Sequence, residues 1–193
     1  MTDPKIIALT APSGSGKTTI ARRVLAAFPA MTFSVSATTR PRRNHERDGV
    51  HYHFISEDEF RTLINAGGFV EYEEVYPGCF YGTLCAEVER ATAEAPILLD
   101  IDVEGTLNVK RLYGDDALTI FIRPPSLAVL ADRLRQRETE TKATLRVRLD
   151  RARHELTYAD RFDAVIVNDD LEQAVAETIR LIQAFLEPGM GAD

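Results

Sequence analysis

The sequence predicts an α/β fold with a parallel core sheet flanked by helices. Three observations carry that prediction. Short apolar, β-branched runs recur, and several are continuous rather than alternating; segments with helical spacing lie between them; and a Gly/Ser-rich turn joins the first run to the first helical segment. Continuous apolar runs suit strands buried on both faces, as in a parallel sheet. Strand–helix alternation then implies right-handed crossovers.

Taken in order, the strands are predicted at Ile6–Thr10, Thr32–Ala37, Pro96–Ile101, Ala117–Ile122 and Ala164–Val167. Lys17–Phe28 places Ile20, Val24, Leu25 and Phe28 on one helical face. Ser126–Gln136, with Leu127, Leu130 and Leu134, repeats in the same way, as do Lys142–Ala159 and Leu171–Leu186. Residues from about 38 to 90 differ, being rich in Tyr, Phe, Gly and acids, and read as a small insertion with antiparallel sheet. Within it, Ser56 followed by Glu59 is a capping box opening a helix. His51 and His53 are expected on one strand face, without further metal ligands. Arg137–Leu145, polar and charged, reads as a surface connection.

The 193 residues suit one globular unit, able to bury roughly 70% of its unfolded surface without staples. A net charge of -7 opposes a general nucleic-acid coat, which carries a basic footprint. Of the 23 bases, 19 are Arg, and 11 of those fall in residues 40–47 and 133–153. The planar guanidinium grips phosphate in a bidentate way, so clustered arginines in an acidic chain point to a small phosphorylated ligand. Residues 36–47 carry +3, residues 133–153 carry +5, and the remainder carries -15. Cys79 and Cys85 match neither a zinc motif nor a disulfide scaffold and are expected as free thiols. The absence of a signal pattern and of any apolar run near 18 residues predicts a cytoplasmic protein, with neither a membrane nor nucleic acid as partner.

The strongest local motif follows the first strand: Ala11, Pro12, Ser13, Gly14, Ser15, Gly16, Lys17, Thr18 and Thr19. It is a phosphate-binding P-loop in which the first glycine is replaced by Ala11. Gly14 and Gly16 let backbone N–H groups face inward, and the helix start adds its positive dipole end. Lys17 offers a compact charge for the β- and γ-phosphates, and Thr18 a hydroxyl for Mg²⁺. Asp100 and Asp102 end a parallel strand, where ligand crevices form, and Asp100 is expected to support Mg²⁺ beside Thr18. Asp102-Val103-Glu104-Gly105 mimics a GTPase motif, but no Asn-Lys-x-Asp signature accompanies it.

Further pieces then accumulate. They are Ser34-Val35-Ser36-Ala37-Thr38-Thr39-Arg40-Pro41-Arg42-Arg43-Asn44-His45-Glu46, then Tyr52 to Phe54, Phe69-Val70-Glu71 and Tyr81-Gly82-Thr83. Leu99–Asp102, Pro124–Ser126 and Val167–Asp170 follow in order. In sequence and spacing over about 160 residues, the chain resembles the guanylate kinase family. The resemblance implies a P-loop nucleoside monophosphate kinase fold with a mixed-sheet GMP-binding insertion at about 38–90. It places a helical lid at about 129–153 and the core at about 1–37, 91–128 and 154–190. It implies transfer of the γ-phosphoryl of ATP to GMP, and to dGMP, with Mg²⁺, in guanine nucleotide synthesis and GMP recycling by a monomer or homodimer.

Residue by residue, the resemblance assigns the GMP phosphate to Arg40, Arg43, Tyr52 and Tyr81. It assigns the guanine to Ser36, Glu71, Thr83 and Asp102, with Asp100 also on the GMP side. Arg133 and Asn168 join the P-loop on the ATP side. Arg137 and Arg148 join Lys17 and Arg40 around the transferring phosphoryl, with Arg146 a neighbour, while Arg135, Arg151 and Arg153 are expected to be ordinary helix-surface arginines. The sequence departs from the family pattern at Ala11, Arg42, His45 and Glu138. Two other readings share the fold: a kinase for another phosphorylated acceptor such as ribose 1,5-bisphosphate, and a non-catalytic interaction module. The joint presence of Ser36, Glu71 and Thr83 opposes the first, and intact Lys17, Thr18 and lid arginines oppose the second.

Overall fold

The computed structural model describes residues 4–136 and 142–187. In chain order its elements are β1 (Ile6–Thr10), α1 (Lys17–Ala27), β2 (Thr32–Phe33), β3 (Ala37–Thr38), β4 (His53–Phe54), α2 (Glu57–Asn65), β5 (Phe69–Tyr76) and β6 (Cys79–Leu84). There follow α3 (Cys85–Val88), β7 (Ile97–Asp100), α4 (Val103–Tyr113), β8 (Ala117–Arg123), α5 (Leu127–Arg135), α6 (Lys142–Leu156), β9 (Ala164–Val167) and α7 (Leu171–Leu186). The core sheet runs β2-β7-β1-β8-β9, with every pairing parallel.

β1 is the central strand, and all five of its residues are fully buried. Its side chains alternate between two cores, as the pleat requires. Ile7 and Leu9 join Ile20 and Val24 of α1 and Ile182 of α7 on one face. Ile6 and Ala8 join Leu99 and Val109 on the other, where α4 packs. A continuous apolar strand is therefore the sequence expression of a sheet covered on both sides.

The insertion builds a second sheet, β4-β3-β6-β5, in which β3–β4 is parallel and the other pairings are antiparallel. Its small core centres on fully buried Phe60, stacked 4.3 Å from Phe69 and 5.2 Å from Phe80 between ring centroids. The capping box forms as expected: Ser56 Oγ accepts from Glu59 N–H, and the Glu59 carboxylate accepts from Ser56 N–H. Buried Glu87 ties the insertion to the core, accepting from Val35 N–H at 3.2 Å and from Arg90 at 3.0 Å, with His53 Nε2 3.5 Å away. α5 and α6 pack through Leu130, Leu134 and Ala152.

Two readings of local structure need correction. The run Thr32–Ala37 is not one strand. Thr32 and Phe33 pair with β7, and Ala37 pairs instead with β4 and β6 in the second sheet. The chain changes sheets at 34–36: Thr32 and Phe33 are exposed on an edge strand while Ala37 and Thr38 are buried in the second sheet, a difference that hydropathy does not record. His51 lies in a turn outside β4, where its Nδ1 accepts from Arg47 N–H at 3.0 Å, so it shares no strand face with His53. Cys79 and Cys85 are free, and no described helix is long and apolar enough to cross a membrane.

Phe60→Ala should remove the centre of the insertion core. A buried Phe→Ala change costs roughly 3–5 kcal/mol, which urea unfolding would read as a lowered midpoint. A loss under about 1 kcal/mol would contradict this packing account.

Candidate functional site

The site sits at the C-terminal ends of β1 and β7, where parallel sheets open a crevice. β1 pairs with β7 so that Leu9 lies opposite Asp100. The P-loop leaves β1 one residue later and enters α1 through Gly14 (φ 95°) and Gly16 (φ 93°). Both are left-handed conformations that favour glycine. The loop is closed by Ser15 N–H donating to Pro12 O at 3.0 Å. Gly16 is the N-cap of α1 and provides no side-chain cap, whereas α4, α5 and α7 are capped by Asp102, Ser126 and Asp170. Lys17 Nζ donates to Ile101 O at 2.8 Å and forms an ion pair with Asp100 Oδ1.

A cavity of about 620 Å³ joins this loop to the second sheet. Ala11, Pro12, Ser13, Gly14, Gly16, Lys17, Thr18 and Thr19 form one wall. Ser36, Tyr52, Glu71 and Tyr81 form the other, and Asp100 and Asp102 lie on the lining as well. Arg148 of α6 also lines it and donates to Ser13 Oγ at 2.9 Å, so a guanidinium of α6 touches the P-loop.

Glu71 accepts a 2.6 Å hydrogen bond from Thr83 Oγ1, its cross-strand partner. Burial is the main cause of a pKa raised to about 7, with nearby Asp102 contributing. Asp102 Oδ1 accepts from Gly105 N–H at 2.7 Å and caps α4. Arg40 is enclosed. Its Nη1 and Nη2 donate to the two carboxylate oxygens of Glu46, both at 2.8 Å, and its Nε donates to Tyr81 Oη at 3.1 Å. The Arg40 bonds hold Glu46 down to about 2, helped by Arg43 N–H. Arg40 also lies 5.2 Å over the Tyr52 ring.

A sequence profile of the family described as guanylate kinase matches residues 3–185. The chain belongs to the guanylate kinase family. The guanylate kinase of Salinibacter ruber is 60% identical over 186 residues, covering 96% of this chain and 99% of that protein. That of Chlorobium luteolum is 51% identical over 183 residues, covering 94% and 92%. The crystal structure of guanylate kinase from Anaplasma phagocytophilum aligns with a TM-score of 0.76 at 29% identity, covering 98% of this chain and 89% of that one.

Not every residue singled out within this guanylate kinase fold lines the cavity. Thr83 is fully buried and reaches it through Glu71. Ser15 is buried within the loop. Arg43 is exposed, with its backbone N–H on Glu46. Asn168 is buried, its Nδ2 donating to Ser15 O at 2.7 Å, while Arg133 Nη2 donates to Asn168 O at 3.0 Å. These two brace the P-loop from behind. Arg146 is exposed, 3.9 Å from Asp150. Arg137 and Glu138 lie outside the described residues.

Of the arginines expected on the helix surface, Arg135 and Arg153 pair with Asp132 and Asp150 on their own helices. Arg151 corrects the expectation: it lines the cavity, lies 3.5 Å from Glu73 of β5, and donates to Glu155 at 2.9 Å. Glu73 also lines the cavity, its carboxyl raised by burial and by a hydrogen bond shared with Asp102. Glu73, Glu155 and Glu46 carry no role in the sequence expectations. Glu46 closes the Ser34–Glu46 motif. Glu73 lay two residues from Glu71, on the same strand face.

Gly16→Ala should damage the phosphate loop while sparing the core. A Cβ at Gly16 would collide with the Asn168 amide, and alanine at that φ costs about 1–3 kcal/mol. Calorimetric titration with a non-hydrolysable ATP analogue should show affinity reduced about tenfold or more, with the thermal midpoint lowered by several degrees. Wild-type affinity would refute this account of the loop.

Proposed function

We infer that the chain transfers the γ-phosphoryl group of ATP to GMP, giving ADP and GDP, with dGMP as a second acceptor. The observation that carries this reading is the single cavity shared by the P-loop and by Ser36, Tyr52, Glu71 and Tyr81, in a chain of the guanylate kinase family. Within it we divide the chain into a core at about 1–37, 91–128 and 154–190, a GMP-binding region at about 38–90, and a lid at about 129–153. The reaction belongs to guanine nucleotide metabolism in the cytoplasm.

Phosphoryl transfer needs positioning and charge stabilisation more than covalent help. The GMP phosphate is already anionic and requires no general base. The P-loop amides and Lys17 hold the β- and γ-phosphates. Arg40, kept rigid by Glu46, and Arg43 take the GMP phosphate with Tyr52 and Tyr81. Arg148, already against Ser13, stabilises charge on the transferring group, and Arg137 shares that role. Glu71 accepts from guanine N1–H and the 2-amino group, a donor pair that adenine lacks. Ser36 and Asp102 complete the guanine side, with Thr83 orienting Glu71. Lid closure excludes water from the transfer.

Thr18 and Asp100 offer a hydroxyl and a carboxylate on the cavity wall beside Lys17. Such hard oxygen donors, with phosphate oxygens and waters, suit Mg²⁺. No group of three or more His, Cys, Asp or Glu among the described residues forms a closed cage. That donor set fits an ion arriving with the nucleotide, held by Thr18 and Asp100, which when bound neutralises charge at the β- and γ-phosphates.

A coupled assay of ADP release should give far faster turnover with GMP than with AMP, UMP or CMP; equal rates would refute the assignment. Lys17→Met should lower kcat by at least about 10²-fold, and an unchanged kcat would remove Lys17 from its role.

The Glu71 carboxyl, raised to about 7, must be ionised to accept from guanine. The fraction ionised, and hence kcat/KM for GMP, should rise about tenfold from pH 6 to pH 8. In Glu71→Gln only the slope due to the phosphate of GMP should remain. An identical profile in both proteins would contradict the titration of Glu71.

A further inference from the structure

Gly105 occupies the third position of α4, after the Asp102 cap. It is buried, and its backbone is not in the left-handed region, so any residue could adopt its conformation. Helix propensity alone favours alanine there by about 1 kcal/mol. The space around it does not. A Cβ on Gly105 would lie 2.8 Å from Glu71 Cγ and 3.0 Å from both Glu71 Cδ and Oε2.

We propose that Gly105 is the specificity-determining positioning residue of the guanine pocket, its missing side chain leaving the space in which the Glu71 carboxylate is held. The proposal rests on the reading of Glu71 as the guanine acceptor.

Two routes could relieve the collision, and the structure opposes both. Glu71 could rotate, since the contact reaches back to Cγ. Rotation would break the 2.6 Å hydrogen bond from Thr83 Oγ1, which sets the carboxylate orientation. Alternatively, α4 could retreat from β5. Asn108 of α4 donates to Val70 O, the carbonyl preceding Glu71 in β5, and so pins helix to strand. Val70 and Val109 are buried in the same core cluster on that side. One side-chain hydrogen bond holds Glu71, whereas a hydrogen bond and a buried apolar cluster together hold the helix, so Glu71 yields.

Gly105 also acts through its backbone. Its N–H donates to Asp102 Oδ1 at 2.7 Å. One residue thus fixes both carboxylates of the guanine side, one through its amide and one through the absence of a Cβ. Alanine keeps the amide and removes only the space, so it isolates the second effect.

The test is Gly105→Ala, compared with Glu71→Ala and with the double variant, in the full chain. Steady-state kinetics would be measured with GMP and with IMP, which keeps N1–H but lacks the 2-amino group. ATP KM and the thermal midpoint would be followed in parallel. Gly105→Ala should raise the KM for GMP about tenfold and narrow the GMP-over-IMP preference, leaving ATP KM and the thermal midpoint near wild type. In the Glu71→Ala background the same substitution should add little to the loss of kcat/KM, because the carboxylate it displaces is gone. An unchanged GMP KM and preference would overturn the proposal, with or without a fall in thermal midpoint. So would full additivity of the two substitutions. If Glu71→Ala itself kept the wild-type preference, the guanine-reading role of Glu71 would fall first and the proposal with it. That result differs from a failure confined to Gly105.

Discussion

The parallel pairing of β1 with β7 is the interaction on which the rest of the site depends. It sets Leu9 beside Asp100, so the P-loop and the Asp100–Asp102 turn leave the sheet from the same edge. Lys17 can then reach both Asp100 and the carbonyl of Ile101. The pairing is buried on both faces by separate apolar clusters, which makes a slip in register costly. The P-loop amides and the carboxylates of Asp100 and Asp102 are thereby fixed by the most buried part of the molecule, although neither group belongs to its core.

The fold was legible where burial and local chemistry agree. Continuous apolar runs gave β1 and β9 with their observed bounds, and helical spacing gave α7. The capping box at Ser56 and the P-loop are local motifs whose geometry lies within a few residues. The helix α4 is hidden in the sequence because its N-cap, Asp102, directly follows an apolar strand and reads as a ligand-side carboxylate. The split of Thr32–Ala37 between two sheets escaped hydropathy, because both halves meet a sheet. In the site, the long-range partners were the unreadable part. Arg151 with Glu73 and Asn168 with Ser15 are far apart in sequence, and no local pattern announces either pair.

Charge counted along the chain also differs from charge in space. The basic stretch at 36–47 looks strongly cationic, yet Arg40 is locked to Glu46, which belongs to the same stretch. What the stretch offers a phosphate is a rigid, hydrogen-bonded guanidinium rather than a loose excess of charge. The opposite happens around Glu71. Glu73, Asp102 and Glu155, spread over three elements, gather near it with Arg151 as the cation in contact. Burial together with mutual repulsion lifts several of these carboxyls. The two ends of one cavity therefore differ in electrostatic character, with charge-paired cations at the P-loop end and carboxyls raised by burial around Glu71.

The Lys17–Asp100 pair has an energetic meaning of its own. The P-loop ammonium already has a counter-ion, so on the proposed reading an arriving nucleotide replaces one anionic partner with another. The gain at Lys17 is the difference between a polyphosphate and a single carboxylate, not the full attraction between a bare cation and its ligand. That exchange favours ligands with dense, multiple charge and discriminates against weakly anionic ones. On the proposed reading it also frees Asp100 from Lys17 for the ion that arrives with the nucleotide, so one arrival alters two groups of opposite sign on the same wall.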